Sequence, residues 1–477
     1  MKKYKKIALI LTVLICVFNI TAYGAGNYDY ILDEKGKRIA IPLTYKVEKV
    51  FSYFDEAGYL NNAQDLFMDK DEKLYVVDTG NNRIIKLTRD GNLLGTYDGD
   101  TKKLNSPNGI YVDDDGDMYI ADTGNGRVVH LSPEGKFVEE FVQPKSPLYD
   151  TNSPFRPSKV YVDAINQIYT LNDDYHGFTV LDGNNQFKGY VAPTRLEFSF
   201  TDVLIRMFAS PEQKEKLSKR LPPAHSNFVI TDDGMIYATT LRAKTEQIKK
   251  MTTLGNNIYP EDGFFGEDID EYGNKIEPSF VDISVDDNGI ITALESSTCR
   301  LYQYDQEGNL LTVFGGRGTY RGKFLFPTSV VQDKNGRMYV LDSRMNNIQV
   351  FERTKFIETV HHALNLYYDG KYQEAIEPWE EILKVGPNYY VAHKGMGKAY
   401  MKQEKWKQSM KSYRLADDRE GYSDAFSEYR HSIFRKYFGW IVLAIIGVIV
   451  AIIKFVRYLR RLSGQMLRQT KTWKGVI

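Results

Sequence analysis

One stretch of this chain is written twice. Leu74-Tyr-Val-Val-Asp-Thr-Gly-Asn-Asn-Arg-Ile-Ile85 returns as Met118-Tyr-Ile-Ala-Asp-Thr-Gly-Asn-Gly-Arg-Val-Val129, placing Asp78 and Asp122 44 residues apart. A unit of that size cannot bury its own apolar faces, so copies must stack in a propeller, a solenoid or an array. Read with period two, Gly109–Val112 is a short strand and Asp113–Asp117 a Gly/Asp turn. Met118–Ala121 is then a second strand, Asp122–Arg127 a polar corner and Val128–Leu131 a third strand.

The twice-written Asp-Thr-Gly-Asn-x-Arg in this context resembles the NHL repeat, one blade of a β-propeller. Weaker copies register on apolar pairs in the second strand: Leu74-Tyr75, Met118-Tyr119, Ile168-Tyr169, Ile236-Tyr237, Ile290-Ile291 and Met338-Tyr339. The resemblance therefore implies six blades over 45–353, with first strands beginning near Asp65, Gly109, Lys159, Asn227, Asp282 and Ser329. The sixth copy turns helical after its third strand. Tyr45–Tyr53 alternates like the fourth-strand segments Leu93–Tyr97 and Leu310–Phe314, so it is predicted to complete that blade and close the ring. Residues 25–44 read as a polar lead-in.

Asp78, Asp122 and Asp342 end second strands, with Glu295 and Asn172 as substitutes. A carboxylate there can accept backbone N–H groups across the corner and pair with Arg83, Arg127 or Arg300. Repetition around a ring points to structure rather than catalysis. Two insertions break the period. One, 194–225, has a helix start at Ser210-Pro-Glu-Gln213 and is read equally as a lid or as padding. The other, Gly255–Pro278, is acidic, but Tyr272 and Ser279 stand where a calcium loop needs ligands, so a solvated loop is expected.

Beyond Arg353 the period becomes helical. Ala363, Ala375 and Pro387, followed 34 residues later by Gly397, Ser409 and Gly421, resemble two tetratricopeptide repeats at 356–389 and 390–423, with a capping helix to 436. The expected fold is thus an all-β six-bladed propeller, an α-helical tetratricopeptide-repeat segment and one transmembrane helix. That helix is Tyr437–Val456, uncharged from Phe438 to Ile453 and long enough for a bilayer.

Residues 1–24, with Lys2, Lys3, Lys5 and Lys6 before an apolar run, read as a cleaved signal peptide. The basic tail 457–477 is then cytoplasmic by the positive-inside rule, and the body lies outside the cell membrane. Net charge is zero, yet setting aside those four lysines and Lys454, Arg457, Arg460, Arg461, Arg468, Lys471 and Lys474 leaves an excess of 11 acids. An acidic body excludes nucleic acid as a partner. Cys299 is the lone cysteine outside the leader, so the mature chain forms no internal disulfide.

Six-bladed propellers resembling this one include lactonases, a streptogramin lyase and the lyase that releases peptide amides, which use metal or polar groups where inner strands meet the channel. That resemblance implies Asp65, Asn227 and Asp282 as oxygen ligands for a calcium-like ion, with Lys159, His225 and Ser329 as channel-mouth binding residues. Lys159 argues against a cation there. His130 is expected on a solvated face, and no histidine trio has zinc-ligand spacing. The leading expectation is a membrane-tethered, extracytoplasmic binding or scaffolding protein, more a binder than an enzyme. It would use a propeller face or a tetratricopeptide groove to hold a protein, or the channel mouth to hold a small molecule. The alternatives are a metal-dependent hydrolase or lyase, and an accessory component of a membrane uptake system.

Overall fold

The structure is a computed structural model. It describes residues 28–33, 36–150, 154–172, 177–193, 223–252, 255–260, 264–267 and 276–473, with 210, 269, 273 and 274 between them. Residues 1–24, expected to be a signal peptide, nearly all of the 194–225 insertion with its helix start, His176 and most acids of the second insertion lie outside the described residues.

Six antiparallel sheets form the body. Blade 1 runs Asp65–Met68, Lys73–Asp78, Arg83–Thr88 and Leu93–Tyr97; blade 2 runs Gly109–Val112, Met118–Asp122, Arg127–Leu131 and Phe137–Val142. Blade 3 spans Pro157–Val191. Blade 4 has three described strands, His225–Ile230, Ile236–Thr240 and Ile248–Met251. Blade 5 runs from Phe280 to Gly315 and blade 6 from Pro327 to Arg353. Each innermost strand contacts the next, and the last returns to Asp65–Met68, so the ring is closed.

The apolar run of each second strand is explained by stacking on both faces. In blade 1, Leu74 and Val76 pack with Tyr339, Leu341 and Ile348 of blade 6. Tyr75 and Val77 point the other way, into Ile110, Met118 and Ile120 of blade 2. Tyr45–Phe51 pairs antiparallel with Asn347–Arg353 as the fourth strand of blade 6, two residues shorter than the predicted closing strand.

The lead-in is not merely polar. Tyr28–Leu32 and Arg38–Pro42 form a hairpin that joins the outer strand of blade 5 through Tyr30 and Val313, making a six-stranded sheet. Alternation in Tyr28-Asp-Tyr-Ile-Leu32 is the signal that composition hides. Asp29 accepts from Thr44 N and Thr44 Oγ1, both at 2.6 Å, and burial pushes its carboxyl up to about 6. The acidic insertion is not wholly solvated either. Its Glu267 is buried, holding Arg38 through Nε at 2.7 Å and Nη2 at 2.6 Å, and Arg300 Nη1 at 3.3 Å.

A C-terminal helical segment follows: α1 (Lys355–Tyr368), α2 (Ile376–Val385), α3 (Tyr390–Lys402), α4 (Trp406–Leu415) and α5 (Arg419–Trp473). The chain divides into two compact units, Met1–Asn365 with Glu380–Val391, and Leu366–Trp379 with Ala392–Ile477. In the first, α1 is fastened to the propeller by His361 Nε2, 2.8 Å from Gln303 Oε1, and Tyr389 donates its hydroxyl to Leu311 O at 3.0 Å. In the second, glycine permits close crossings: a Cβ on Gly395 would meet the Trp379 ring, and one on Gly421 the Tyr413 ring, each at under 3 Å. Ser409 Oγ donates to Gly397 O at 2.8 Å. Helix α5, about 80 Å long at 1.5 Å per residue, is long and apolar enough to cross a membrane, and its apolar window is unburied.

Candidate site at the channel mouth

An innermost strand has no sheet neighbour on its channel side, so its N–H groups there need other acceptors. Inward-facing side chains supply them from blade to blade. Asp65 Oδ2 accepts Ile110 N at 3.2 Å, Asp282 Oδ2 accepts Val330 N at 2.7 Å, and Ser329 Oγ accepts Leu66 N at 3.1 Å. Asn227 Nδ2 donates to Asp282 Oδ1. Lys159 reaches across the channel to Asp65, Nζ to Oδ1 at 2.5 Å, and Ser329 Oγ donates to the same oxygen at 3.2 Å.

Structure thus gathers Asp65, Asn227, Asp282, Lys159 and Ser329 into one network, but as staples between blades. The oxygens suggested for a calcium-like ion already accept N–H and O–H groups, with the Lys159 ammonium as their cation. Burial pushes the Asp282 carboxyl up to about 6 against the pull of Lys159. The neighbouring carboxylates keep the Lys159 ammonium above the ordinary lysine range despite its burial. Among the described residues no three His, Cys, Asp or Glu side chains are placed to hold a metal ion.

His225 stands apart from this network. Its Nε2 lies 3.0 Å from Ala192 O, Thr240 Oγ1 lies 3.3 Å from Nδ1, and its ring stacks on Phe178. Burial pushes the imidazole down to about 4, so it is neutral near pH 7. His130 is buried rather than solvated, stacked on Tyr119 with 4.3 Å between centroids.

A cavity of about 430 Å³ opens at the channel mouth beside the staples. Its wall takes the residue before the inward position of every blade: Gln64, Asn108, Ser158, Ser226, Val281 and Thr328. Thr123, Arg156, Asn172, Leu241, Phe326 and Pro327 complete the rim, with Lys159 and His225 also touching it. Phe326 is 52% exposed, an apolar ring on a polar wall. Sequence reasoning found the staples and missed the wall, although the wall lies one residue earlier in each strand.

Corners sit around this face. Asp78 accepts Asn61 N at 2.8 Å and Arg83 Nε at 2.7 Å; Asp122 accepts Asn105 N at 2.7 Å and Arg127 Nε at 2.8 Å. Glu295 accepts Ser279 N, Ser297 N and Thr298 N, while Arg300 reaches Glu267. Asp342 accepts Leu325 N, Phe326 N, Arg344 N and Met345 N. At the corresponding place in blade 3, Asn172 donates Nδ2 to Thr179 Oγ1.

These features define a six-bladed β-propeller carrying an NHL repeat, whose family matches residues 104–131. No curated protein sequence matches the chain. Among solved structures it is similar to virginiamycin B lyase from Staphylococcus aureus, at 12% identity and TM-score 0.37 over 68% of this chain and 87% of that one. It is also similar to an auxiliary nutrient binding protein from Bacteroides thetaiotaomicron, at 13% and 0.44 over 68% and 82%. The WD40 β-propeller domain of Doa1 gives 12% and 0.40 over 65% and 98%.

Proposed function

We propose that this chain is a membrane-tethered, extracytoplasmic binding protein whose channel mouth receives a small, polar, uncharged molecule. The observation behind this reading is the wall itself, which offers amide and hydroxyl groups from five of six blades around one cavity. Such groups fix a polar ligand by direct hydrogen bonds, and Phe326 gives an apolar face for stacking. The ionic groups below are engaged with one another, which favours uncharged ligands over ions. A metal-dependent hydrolase or lyase is the weaker reading, because Asp65, Asn227 and Asp282 are committed to the ring and His225 to Ala192 and Thr240.

Tethering is supported by the apolar span of α5 and the cations after it, and a body outside by the lysine-headed apolar run of residues 1–24. We read 356–389 and 390–423 as tetratricopeptide repeats, supported by the close glycine crossings, and as a second surface for a protein partner.

The test uses the full chain in detergent, screened by thermal shift against neutral sugars, polyols and amides beside their phosphorylated or carboxylated counterparts. Neutral compounds should raise the melting temperature, and Asn108→Tyr, which fills the mouth from a half-exposed wall position, should abolish the shift. Hits confined to charged compounds, or hits unaffected by Asn108→Tyr, contradict the site. Protease added to whole cells should cut the propeller and spare an epitope placed after Ile477; the reverse contradicts the topology.

A further inference from the structure

Helix α5 does not stop where its membrane span stops. It runs unbroken from Arg419 to Trp473, without a proline, so it continues past the apolar span Tyr437–Val456 in the same direction. Residues three and four apart share one face of a helix. On that rule Ile452, Phe455, Leu459, Leu462 and Met466, spaced three, four, three and four, form one apolar stripe that begins in the span and carries on beyond it. Ile452, Phe455, Leu459 and Met466 are exposed and Leu462 is half-buried, so the described residues of the chain leave the stripe uncovered.

The charges of this segment respect the stripe. The positions that flank it beyond Phe455 are Val456, Tyr458, Ser463 and Gln465, all uncharged. Lys454, Arg457, Arg460 and Arg461 take positions on the far side of the helix. A bilayer surface covers such a stripe when the helix axis lies in the membrane plane, whereas this segment continues the axis of the span and leads away from the lipid. A second helix on the same axis has no such conflict. Two copies inserted the same way bring α5 side by side and parallel, with like residues at like depth, so that Leu459 meets Leu459 and Leu462 meets Leu462. Uncharged flanks let two basic segments touch without opposing cation to cation, and the outward cations are screened by salt. Toward the other end of the helix the same register brings Arg430 and Arg435 beside the stripe, which confines the seam to the basic end.

We propose that the basic end of α5 pairs with α5 of a second copy of this chain, as a parallel two-stranded coiled coil along Ile452, Phe455, Leu459, Leu462 and Met466. The contact is isologous, each stripe packing on its own copy. This rests on the reading of α5 as the membrane anchor and is independent of what the channel mouth binds.

The test is disulfide crosslinking of the full chain in isolated membranes, one added cysteine at a time. The wild-type chain, whose Cys299 is buried, sets the background. Under mild oxidation Leu459→Cys and Leu462→Cys should each give linked dimer at least threefold above Arg460→Cys and Arg461→Cys, which carry the thiol on the far side. The wild-type chain in detergent should have the mass of a dimer by light scattering, and Leu459→Glu/Leu462→Glu should halve it with the circular dichroism unchanged. Equal linking from both pairs of positions, a monomeric wild-type chain, or a dimer that survives the double glutamate would overturn the proposal. So would a dye on Leu462→Cys that shifts to the blue with anionic vesicles in a monomeric chain, since lipid would then cover the stripe. An alkaline carbonate wash separates this failure from that of the tether. Chain that stays in the membrane pellet without stripe-specific linking refutes the pairing alone, whereas chain released into the wash refutes the anchor and the pairing with it.

Discussion

Glu267→Ala is the sharpest perturbation of the hairpin clamp. Glu267 is the carboxylate on which Arg38 and Arg300 converge, and both guanidinium groups lie over the Tyr30 ring, 4.9 and 5.7 Å from its centroid. Removing one partner of a buried pair costs about 3–5 kcal/mol, whereas an exposed pair contributes about 0–1 kcal/mol. The Arg38 side chain is 37% exposed and Arg300 10%, so the loss belongs between these limits. We place it at about 2–3 kcal/mol, which at 1.36 kcal/mol per decade is roughly a 30- to 150-fold rise in local opening. Because a large chain need not unfold in one step, the readout should be local. Amide exchange followed by mass spectrometry should quicken by that factor over 28–42 and stay unchanged over Met118–Asp122. A change below about threefold over 28–42 would show that the cluster behaves as a surface ion pair. The hairpin would then be held by its pairing to Val313 and by Asp29 on Thr44.

Three further outcomes follow from the same geometry. Asp78→Ala strands the Arg83 guanidinium and Asn61 N, and should lower stability in urea by about 3 kcal/mol, where a loss under 1 kcal/mol would deny the corner its structural role. Tyr45→Phe removes the hydroxyl that accepts from Gln303 Nε2 at 2.9 Å and should cost about 1 kcal/mol, read as a small drop in melting temperature; a loss of several kcal/mol would mean that the ring closure itself depends on that bond. The third concerns pH. His225, pushed down to about 4, takes its proton in the unfolded chain first, so its contribution to stability is lost as pH falls from about 6.5 through 4. Asp29 and Asp282, pushed up to about 6, take theirs in the folded chain first, so they stabilise over nearly the same descent. Urea midpoints of Asp29→Asn/Asp282→Asn should therefore fall more steeply than those of the wild type between pH 7 and pH 4.5, and equal slopes would refute the opposing signs.

How much of this was legible in the sequence depended on whether the cause was local. Leu74-Tyr-Val-Val77 announces a strand covered on both faces, because no partly solvated strand tolerates four apolar residues in a row, and the blades sandwich it as that pattern requires. The closing strand was legible too, since a blade that turns helical after Phe351 must find its fourth strand elsewhere. Glu267 was not, because its partner Arg38 lies 229 positions away and nothing local distinguishes it from the acids around it. His130 misled for a subtler reason. Tyr75 faces Lys86 in blade 1 as Tyr119 faces His130 in blade 2, and both side chains lie over the ring of the tyrosine opposite. The longer lysine keeps its ammonium over the ring and stays half-buried, whereas the shorter imidazole stacks flat on the ring and is buried, so one register position gives different exposure in the two blades. Departures between copies are thus as informative as their agreement. Where the ring repeats itself, as in the corner aspartates, the residue is explained by the blade it closes. Where one copy deviates, as Asn347 does in the place of Arg83 and Arg127, the chain makes the loss good from within: Asp342 is satisfied by the N–H groups of Leu325, Phe326, Arg344 and Met345, and Gln349 takes Lys323 O.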